Sequence, residues 1–110
     1  MPSALAENNA RWRALIASKE AFVNRTGSLE GEYVDGVNPE DVLGLVGDDL
    51  DRLAKDGPLI TYVVWSYNTP IHWVTIDGDS YTVARPPSKT STGHRNLCPG
   101  YRQTREKETP

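Results

Sequence analysis

The chain has 110 residues, of which 37% are hydrophobic and 25% are charged, and its formal net charge is −3. This size and composition predict a single folded domain and exclude disordered and fibrous classes. No apolar run approaches the roughly 18–20 residues of a membrane span, and the N-terminal segment lacks the apolar run of a signal peptide. We therefore expect a cytoplasmic protein that does not contact a membrane.

Cysteine usage and charge distribution narrow the possibilities further. Cys98 is the only cysteine, so neither an intrachain disulfide nor a thiolate zinc site is expected. Residues 1–84 carry six Lys/Arg and thirteen Asp/Glu, whereas residues 85–110 carry six Lys/Arg and two Asp/Glu. The acidic body and the basic C-terminal end are therefore predicted to face different partners.

The first predicted element is a helix. Apolar residues recur at helical spacing from Leu5 to Val23, after a capping residue at Ser3, which predicts one amphipathic helix over residues 4–23. The glycines that follow interrupt any regular pattern. The stretch Glu32-Tyr33-Val34 is expected to form a short extended segment there.

A second helix is predicted to start at Asn38-Pro39-Glu40-Asp41. An Asn at the cap accepts from first-turn amides, Pro suits the first helical position, and acidic residues favour the positive end of the helix dipole. The helix should end at Gly57-Pro58 and divide in two near Gly44 and Gly47. Its carboxylates at Asp48, Asp49 and Asp51 predict a solvated acidic face rather than a metal site.

From Leu59 to Val83 the period changes to two, and β-branched and aromatic residues dominate. Breaks near residues 68–70 and 77–79 predict a three-stranded antiparallel meander, with Tyr67 opposite Ile71 and Asp77 opposite Ser80 at the hairpin ends. One face then collects Ile60, Tyr62, Val64, Val74, Ile76, Tyr81 and Val83.

Packing of this face against the N-terminal helices gives an α+β fold. Residues 1–100 are predicted to form the single α+β domain, and residues 101–110 a flexible polar and basic tail.

The opposite face of the predicted meander is unusually aromatic for a surface left to solvent. It contains Thr61, Val63, Trp65, Tyr67, Ile71, Trp73, Thr75, Thr82 and Ala84. We expect these aromatic side chains to be packed against another part of the chain or against another protein. The alternatives are the chain's own segment from Arg85 to Tyr101, a second copy in a symmetric homodimer, or a different protein.

A resemblance to known proteins lies in the run Val64-Trp65-Ser66-Tyr67-Asn68-Thr69-Pro70-Ile71-His72-Trp73. This run is followed by Asp77-Gly78 and by the Ser/Thr-rich segment 88–94, which ends in His94. It is similar to small uncharacterised proteins of tailed phages that infect actinobacteria, in which a Ser-Tyr-x-Thr-Pro-Ile-Ala-Trp hairpin precedes a Ser/Thr-rich stretch closing on His-Gln. The chain departs from that pattern at His72, at Pro86-Pro87 and at Arg95. The resemblance implies a phage gene product in the cytoplasm of a bacterial host and no particular activity.

Few residues of the chain are candidates for catalysis or for binding a cofactor. Signatures of nucleotide-binding loops, zinc or calcium sites and nucleophile elbows are missing, so no cofactor, metal or catalytic residue is predicted. Ser66 and His72 would lie opposite each other across the first hairpin, where they have the residue types of a nucleophile and its base. An orienting acid and an oxyanion site are not identified in the sequence. A small hydrolase is therefore an alternative hypothesis, although a polar pair at the sheet margin is the simpler interpretation.

The leading hypothesis is a non-enzymatic phage accessory protein that binds and modulates a host macromolecule, most directly a host protein. Its predicted contact residues are Trp65, Tyr67, Ile71, Trp73, His94 and Arg95, which combine buried aromatic area with directed hydrogen bonds.

A second hypothesis is a single-stranded nucleic-acid platform. Bases would stack on the aromatic face while Arg102, Arg105 and Lys107 contact the phosphates. The acidic body opposes it, because a phosphate backbone would be repelled there.

Overall fold

The computed structural model describes residues 4–99, with side chains from Asn9 onward. This part of the chain contains the helices α1 (Ala4–Ala17), α2 (Gly47–Asp56) and α3 (Lys89–Arg95) and two short 3₁₀ turns, Pro39–Asp41 and Gly57–Leu59. The strands are β1 (Phe22–Val23), β2 (Leu29–Tyr33), β3 (Ile60–Ser66), β4 (Thr69–Thr75) and β5 (Ser80–Thr82). They form one antiparallel sheet in chain order, β1-β2-β3-β4-β5. The α+β class is confirmed, but the sheet has five strands and not three.

Helix α1 ends at Ala17, so the predicted helix over residues 4–23 is wrong in its last part. Lys19 adopts a positive φ of 55°, and the Glu20 amide donates back to the Leu15 carbonyl at 2.9 Å. Phe22 then pairs with Gly31 as part of β1. The apolar residues at 22 and 23 that fitted a helical period therefore belong to the edge of the sheet.

Strand β2 contains a glycine where two aromatic rings cross it. A Cβ placed on Gly31 would lie 2.5 Å from the Phe22 ring and 2.5 Å from the Tyr62 hydroxyl. Gly31 therefore marks a close approach of side chains to a strand backbone rather than a break in structure.

The predicted second helix starts with the expected cap but does not continue. Asn38 accepts from the Glu40 amide at 3.0 Å, and Pro39–Asp41 forms a single 3₁₀ turn. Gly44 and Gly47 have φ values of +87° and +57°, and α2 begins only at Gly47. The division expected at these glycines is present.

The first hairpin of the meander is tighter than predicted, and the second is wider. Tyr67 and Asn68 form a two-residue turn, with Tyr67 at φ 55°, so Ser66 faces Thr69. The predicted pairing of Tyr67 with Ile71 is therefore wrong. In the next hairpin Val74 faces Ser80, so the predicted pairing of Asp77 with Ser80 is wrong as well.

A bulge at Ile71 shifts the register within β4. Val64 faces His72 and Trp65 faces Pro70, which leaves Ile71 as the extra residue. Pro70 lies inside the strand rather than in the break predicted at 68–70, and a position beside a bulge is one where a sheet tolerates proline.

The face of the sheet that carries Tyr62 and Ser66 packs against α1 and α3. The Tyr62 hydroxyl donates to the Glu20 carbonyl just after α1 at 2.7 Å, and the Ser66 hydroxyl bonds Ser91 of α3 at 2.8 Å. This side was predicted to face the helices. Ile76, which was placed there, is instead 71% exposed beyond the end of β4.

Helix α2 covers the other face through two buried carboxylates. Asp49 accepts from the Tyr81 hydroxyl at 2.5 Å and from the amides of Ala84 and Arg85, each at 2.9 Å. Asp56, two turns further along the same helix side, accepts from the Trp73 indole at 3.0 Å. Asp49 therefore does not belong to the solvated acidic face predicted for it, because it is only 2% exposed.

Replacement of Asp49 should identify this contact as a main source of stability. Asp49→Ala leaves a hydroxyl and two amides without their acceptor, so we expect a loss of about 3 kcal/mol in the free energy of unfolding. The exposed Asp51→Ala, on the same helix, should change it by less than about 0.5 kcal/mol. Urea unfolding followed by tryptophan fluorescence measures both, and equal losses would contradict the role given to Asp49.

Candidate functional site

Three of the predicted contact residues lie inside the fold. Ile71 and Trp73 have no exposed surface, and Arg95 is only 6% exposed. The Arg95 guanidinium donates from Nη1 to the carbonyls of Val83 and Ala84, each at 3.1 Å, and so ties α3 to the end of β5. A partner therefore has no access to these side chains in this conformation, and they act in holding the fold together.

The other predicted aromatic residues remain at the surface. Helix α2 lies over Trp73 and Tyr81 on β4 and β5, and on the same face Val63 of β3 is buried as well, whereas Glu30 and Glu32 of β2 stay partly exposed. Trp65 is half-buried there, and Tyr67 at the tip of the hairpin is 60% exposed. Helix α2 therefore covers part of the face for which the segment from Arg85 to Tyr101, a second copy and a different protein were the expected alternatives, and residues 100 and 101 lie outside the described part of the chain.

An open cavity of about 230 Å³ lies beside these two aromatic rings. We call it the acidic groove, and its lining residues are Glu30, Glu32, Asp41, Trp65, Tyr67 and Asn68. Glu30 faces Trp65 across the β2–β3 pairing, and Glu32 faces Val63, so both carboxylates share the face of the sheet that carries Trp65. The sequence reasoning missed them, although alternation of Glu with Leu and Gly in residues 29–32 is typical of a strand with one charged face.

Backbone hydrogen bonds fix the walls of the acidic groove. The Tyr67 amide donates to the Ser28 carbonyl at 2.9 Å, which holds the hairpin tip against the start of β2. On the other side the Leu43 amide donates to the Asn68 carbonyl at 3.2 Å, and the Thr69 hydroxyl donates to the Leu43 carbonyl at 2.7 Å. The groove is therefore held in shape without a ligand.

The electrostatics of the groove favour a cation. Among the side chains of residues 9–99 the ion pair between Arg52 and Asp56 stands alone, so the carboxylates of Glu30, Glu32 and Asp41 have no cationic partner among them. The indole N–H of Trp65 is buried and has no hydrogen-bond partner in the same part of the chain, but it is a donor and so adds nothing to the preference for a cation. Carboxylates beside aromatic rings are the surroundings that guanidinium and ammonium groups prefer.

A serine–histidine pair is present, but with a different histidine. Ser66 Oγ lies 2.8 Å from His94 Nδ1 and 2.8 Å from Ser91 Oγ, whereas the predicted partner His72 faces Val64. Ser66 has no exposed surface, and no carboxylate in residues 4–99 hydrogen-bonds His94. Burial lowers the pKa of His94, so the ring is neutral near pH 7. The cluster thus has the geometry of a polar contact that holds α3 on β3, with Ser66 out of reach of a substrate.

Three further expectations concern the basic tail, the absence of membrane spans and the absence of metal sites. Arg102, Arg105 and Lys107, assigned to the nucleic-acid hypothesis, lie outside the described residues. No helix in residues 4–99 is long and apolar enough to cross a membrane. In the same range no group of three or more His, Cys, Asp or Glu side chains is arranged to hold a metal ion.

Comparisons of the chain with protein-family models, with curated proteins and with solved structures returned no match.

His72 makes stability depend on pH. Its Nδ1 lies 2.8 Å from the Thr82 hydroxyl, and burial lowers its pKa from 6.5 to about 4. The folded state therefore excludes a proton that the unfolded chain binds below pH 6.5, and stability falls as the pH drops from 6.5 towards 4, by up to about 3 kcal/mol.

The matched variant is His72→Asn, which keeps a polar group near Thr82 but does not titrate. Its free energy of unfolding should change less between pH 7 and pH 4.5 than that of the wild-type chain, so that the difference between the two proteins shrinks as the pH falls. Parallel pH profiles from urea unfolding would show that His72 is not buried in its neutral form.

Proposed function

We propose that the chain is a non-enzymatic accessory protein that binds a host protein through the acidic groove, with a Lys or Arg side chain of the partner seated between the carboxylates and the aromatic rings. The observation that carries this proposal is the set of three carboxylates without a cationic partner among the side chains of residues 9–99, beside half-buried Trp65 and exposed Tyr67.

Each component of the groove contributes a known element of protein recognition. Tyr and Trp are enriched among residues that dominate binding energy, and Tyr67 at the hairpin tip lines the groove and is 60% exposed. A cation over such a ring gains about 0.5–1 kcal/mol at an exposed site. Glu30 and Glu32 add charge-assisted hydrogen bonds, which an arginine engages with two parallel donors.

The charge of the whole body supports a basic partner. Residues 1–84 carry six Lys/Arg against thirteen Asp/Glu. A field of one sign speeds the encounter with an oppositely charged partner and disfavours partners of the same sign. The resemblance of the β3–β4 hairpin to phage proteins supports a bacterial host protein as that partner.

The alternatives receive less support from the geometry. A nucleic-acid platform needs open aromatic rings next to basic side chains, but Trp73 is covered by α2 and Trp65 is bordered by Glu30 and Asp41. A hydrolase needs a nucleophile that substrate reaches, and Ser66 has no exposed surface.

Capture from the lysate of an actinobacterial host, treated with nuclease, tests the proposal. The double variant Glu30→Gln/Glu32→Gln removes two charges from the groove while it keeps the side-chain size. A host protein retained in stoichiometric amount by the wild-type chain should bind this variant about tenfold or more weakly, because charge-assisted bonds are lost. Mass spectrometry identifies the retained protein, and titration with the purified partner gives the affinity ratio.

The matched control is Asp77→Asn/Asp79→Asn, which removes the same charge from the exposed turn between β4 and β5. It should bind as the wild-type chain does. If both double variants bind the host protein equally weakly, the loss of affinity comes from overall charge, and the groove is not the contact site. If material is retained from the untreated lysate but not from the nuclease-treated lysate, the chain binds nucleic acid and not a host protein.

A further inference from the structure

A second cavity lies on the opposite face of the sheet, between α1, the β1–β2 connection and α3. We call it the N-terminal crevice; it has a volume of about 230 Å³, and its lining includes Asn9, Trp12, Arg25, Leu29, His94 and Leu97. Leu29 pairs with Ser66 on the face that α3 covers, whereas Glu30 points to the acidic groove. The two cavities therefore share no lining residue and differ in charge, and they approach each other where the Tyr67 ring of the groove lies 6.4 Å from the His94 ring of the crevice.

One wall of the crevice supplies hydrogen-bond donors and a positive charge. Arg25 is exposed and has no carboxylate within ion-pair distance among residues 4–99. His94 lines the cavity, and its Nδ1 is bonded to Ser66, so Nε2 is the remaining ring nitrogen; it carries the proton in the tautomer in which Nδ1 accepts from the Ser66 hydroxyl. Asn9 adds an amide on the α1 side. A guanidinium with no internal partner is a preferred site for a carboxylate or a phosphate.

The base of the crevice is apolar and fixed, while Asn24 and Thr26 add polar groups at its rim. The Arg11 guanidinium lies 5.6 Å from the centroid of the Trp12 ring. The Trp12 indole stacks on Phe22 with ring centroids 5.5 Å apart and an interplanar angle of 20°. Leu29 and Leu97 are buried and belong to the hydrophobic core, so the base of the crevice does not depend on a ligand for its shape. Cavities for drug-sized ligands measure about 300–1,000 Å³, so this smaller crevice suits a compact ligand with a single ring.

We propose that the N-terminal crevice binds a small organic anion, in which a carboxylate or phosphate group contacts Arg25 and His94 and a single-ring apolar body lies against Trp12. The proposal does not depend on the protein partner of the acidic groove, because no residue is shared between the two cavities.

Two aromatic anions and one neutral analogue test the proposal with the wild-type chain. Benzoate and phenyl phosphate carry the two candidate anionic groups, and benzyl alcohol carries the ring without the charge. Isothermal titration and the chemical shift of the Trp12 indole proton follow binding. We expect saturable binding of at least one of the two anions, with benzyl alcohol bound about tenfold or more weakly. The anion that binds more tightly identifies the anionic group.

Arg25→Gln should weaken binding of that anion about tenfold, because the charge-assisted bonds are lost. Arg25 is exposed, so the variant is expected to fold, and urea unfolding checks this. The exposed Arg85→Gln is the matched control and should leave the affinity unchanged. Absence of saturable binding for both anions, equal binding of benzyl alcohol, or equal affinity of the Arg25→Gln variant would each overturn the proposal.

Discussion

The attachment of α2 to the sheet through Asp49 and Asp56 is the contact on which the rest of the molecule depends. Burial of a carboxylate costs several kcal/mol unless hydrogen bonds replace its water. Asp49 has three such bonds, and Asp56 has an indole and the Arg52 guanidinium. Burial, together with the bond to Asp49, raises the pKa of Tyr81, which keeps the hydroxyl a donor. A short helix of ten residues is thereby held in one position.

The position of α2 determines which surfaces remain for binding. It covers the β4–β5 half of one face, so the aromatic surface that remains is limited to Trp65 and Tyr67, with Glu30 and Glu32 beside them. On the other face, the bonds of Ser66 to Ser91 and His94 fix α3, which closes one side of the N-terminal crevice. Each face thus combines a buried polar cluster with an open site of defined charge.

Sequence reasoning was correct for two local patterns, although the helical period that ran to Val23 extended past the end of α1 at Ala17. The alternation after Leu59 indicated a meander, and Asn38 indicated a cap. The register was not predictable, because one bulge residue at Ile71 and the positive φ of Tyr67 leave no trace in the alternation of apolar residues. The burial of Asp49 was missed as well, since a carboxylate next to other acidic residues has the pattern of a solvated helix face. Its partners become visible only when β5 is placed.

Hydrogen exchange at the Trp73 indole nitrogen tests the central claim, that α2 closes the aromatic face through these two carboxylates, most directly. The indole proton is donated to Asp56 and the residue has no exposed surface, so NMR should show exchange only through global unfolding, while the indole proton of half-buried Trp12 exchanges faster. Equally fast exchange of both protons would contradict the claim, since the aromatic face would then be open along its full width.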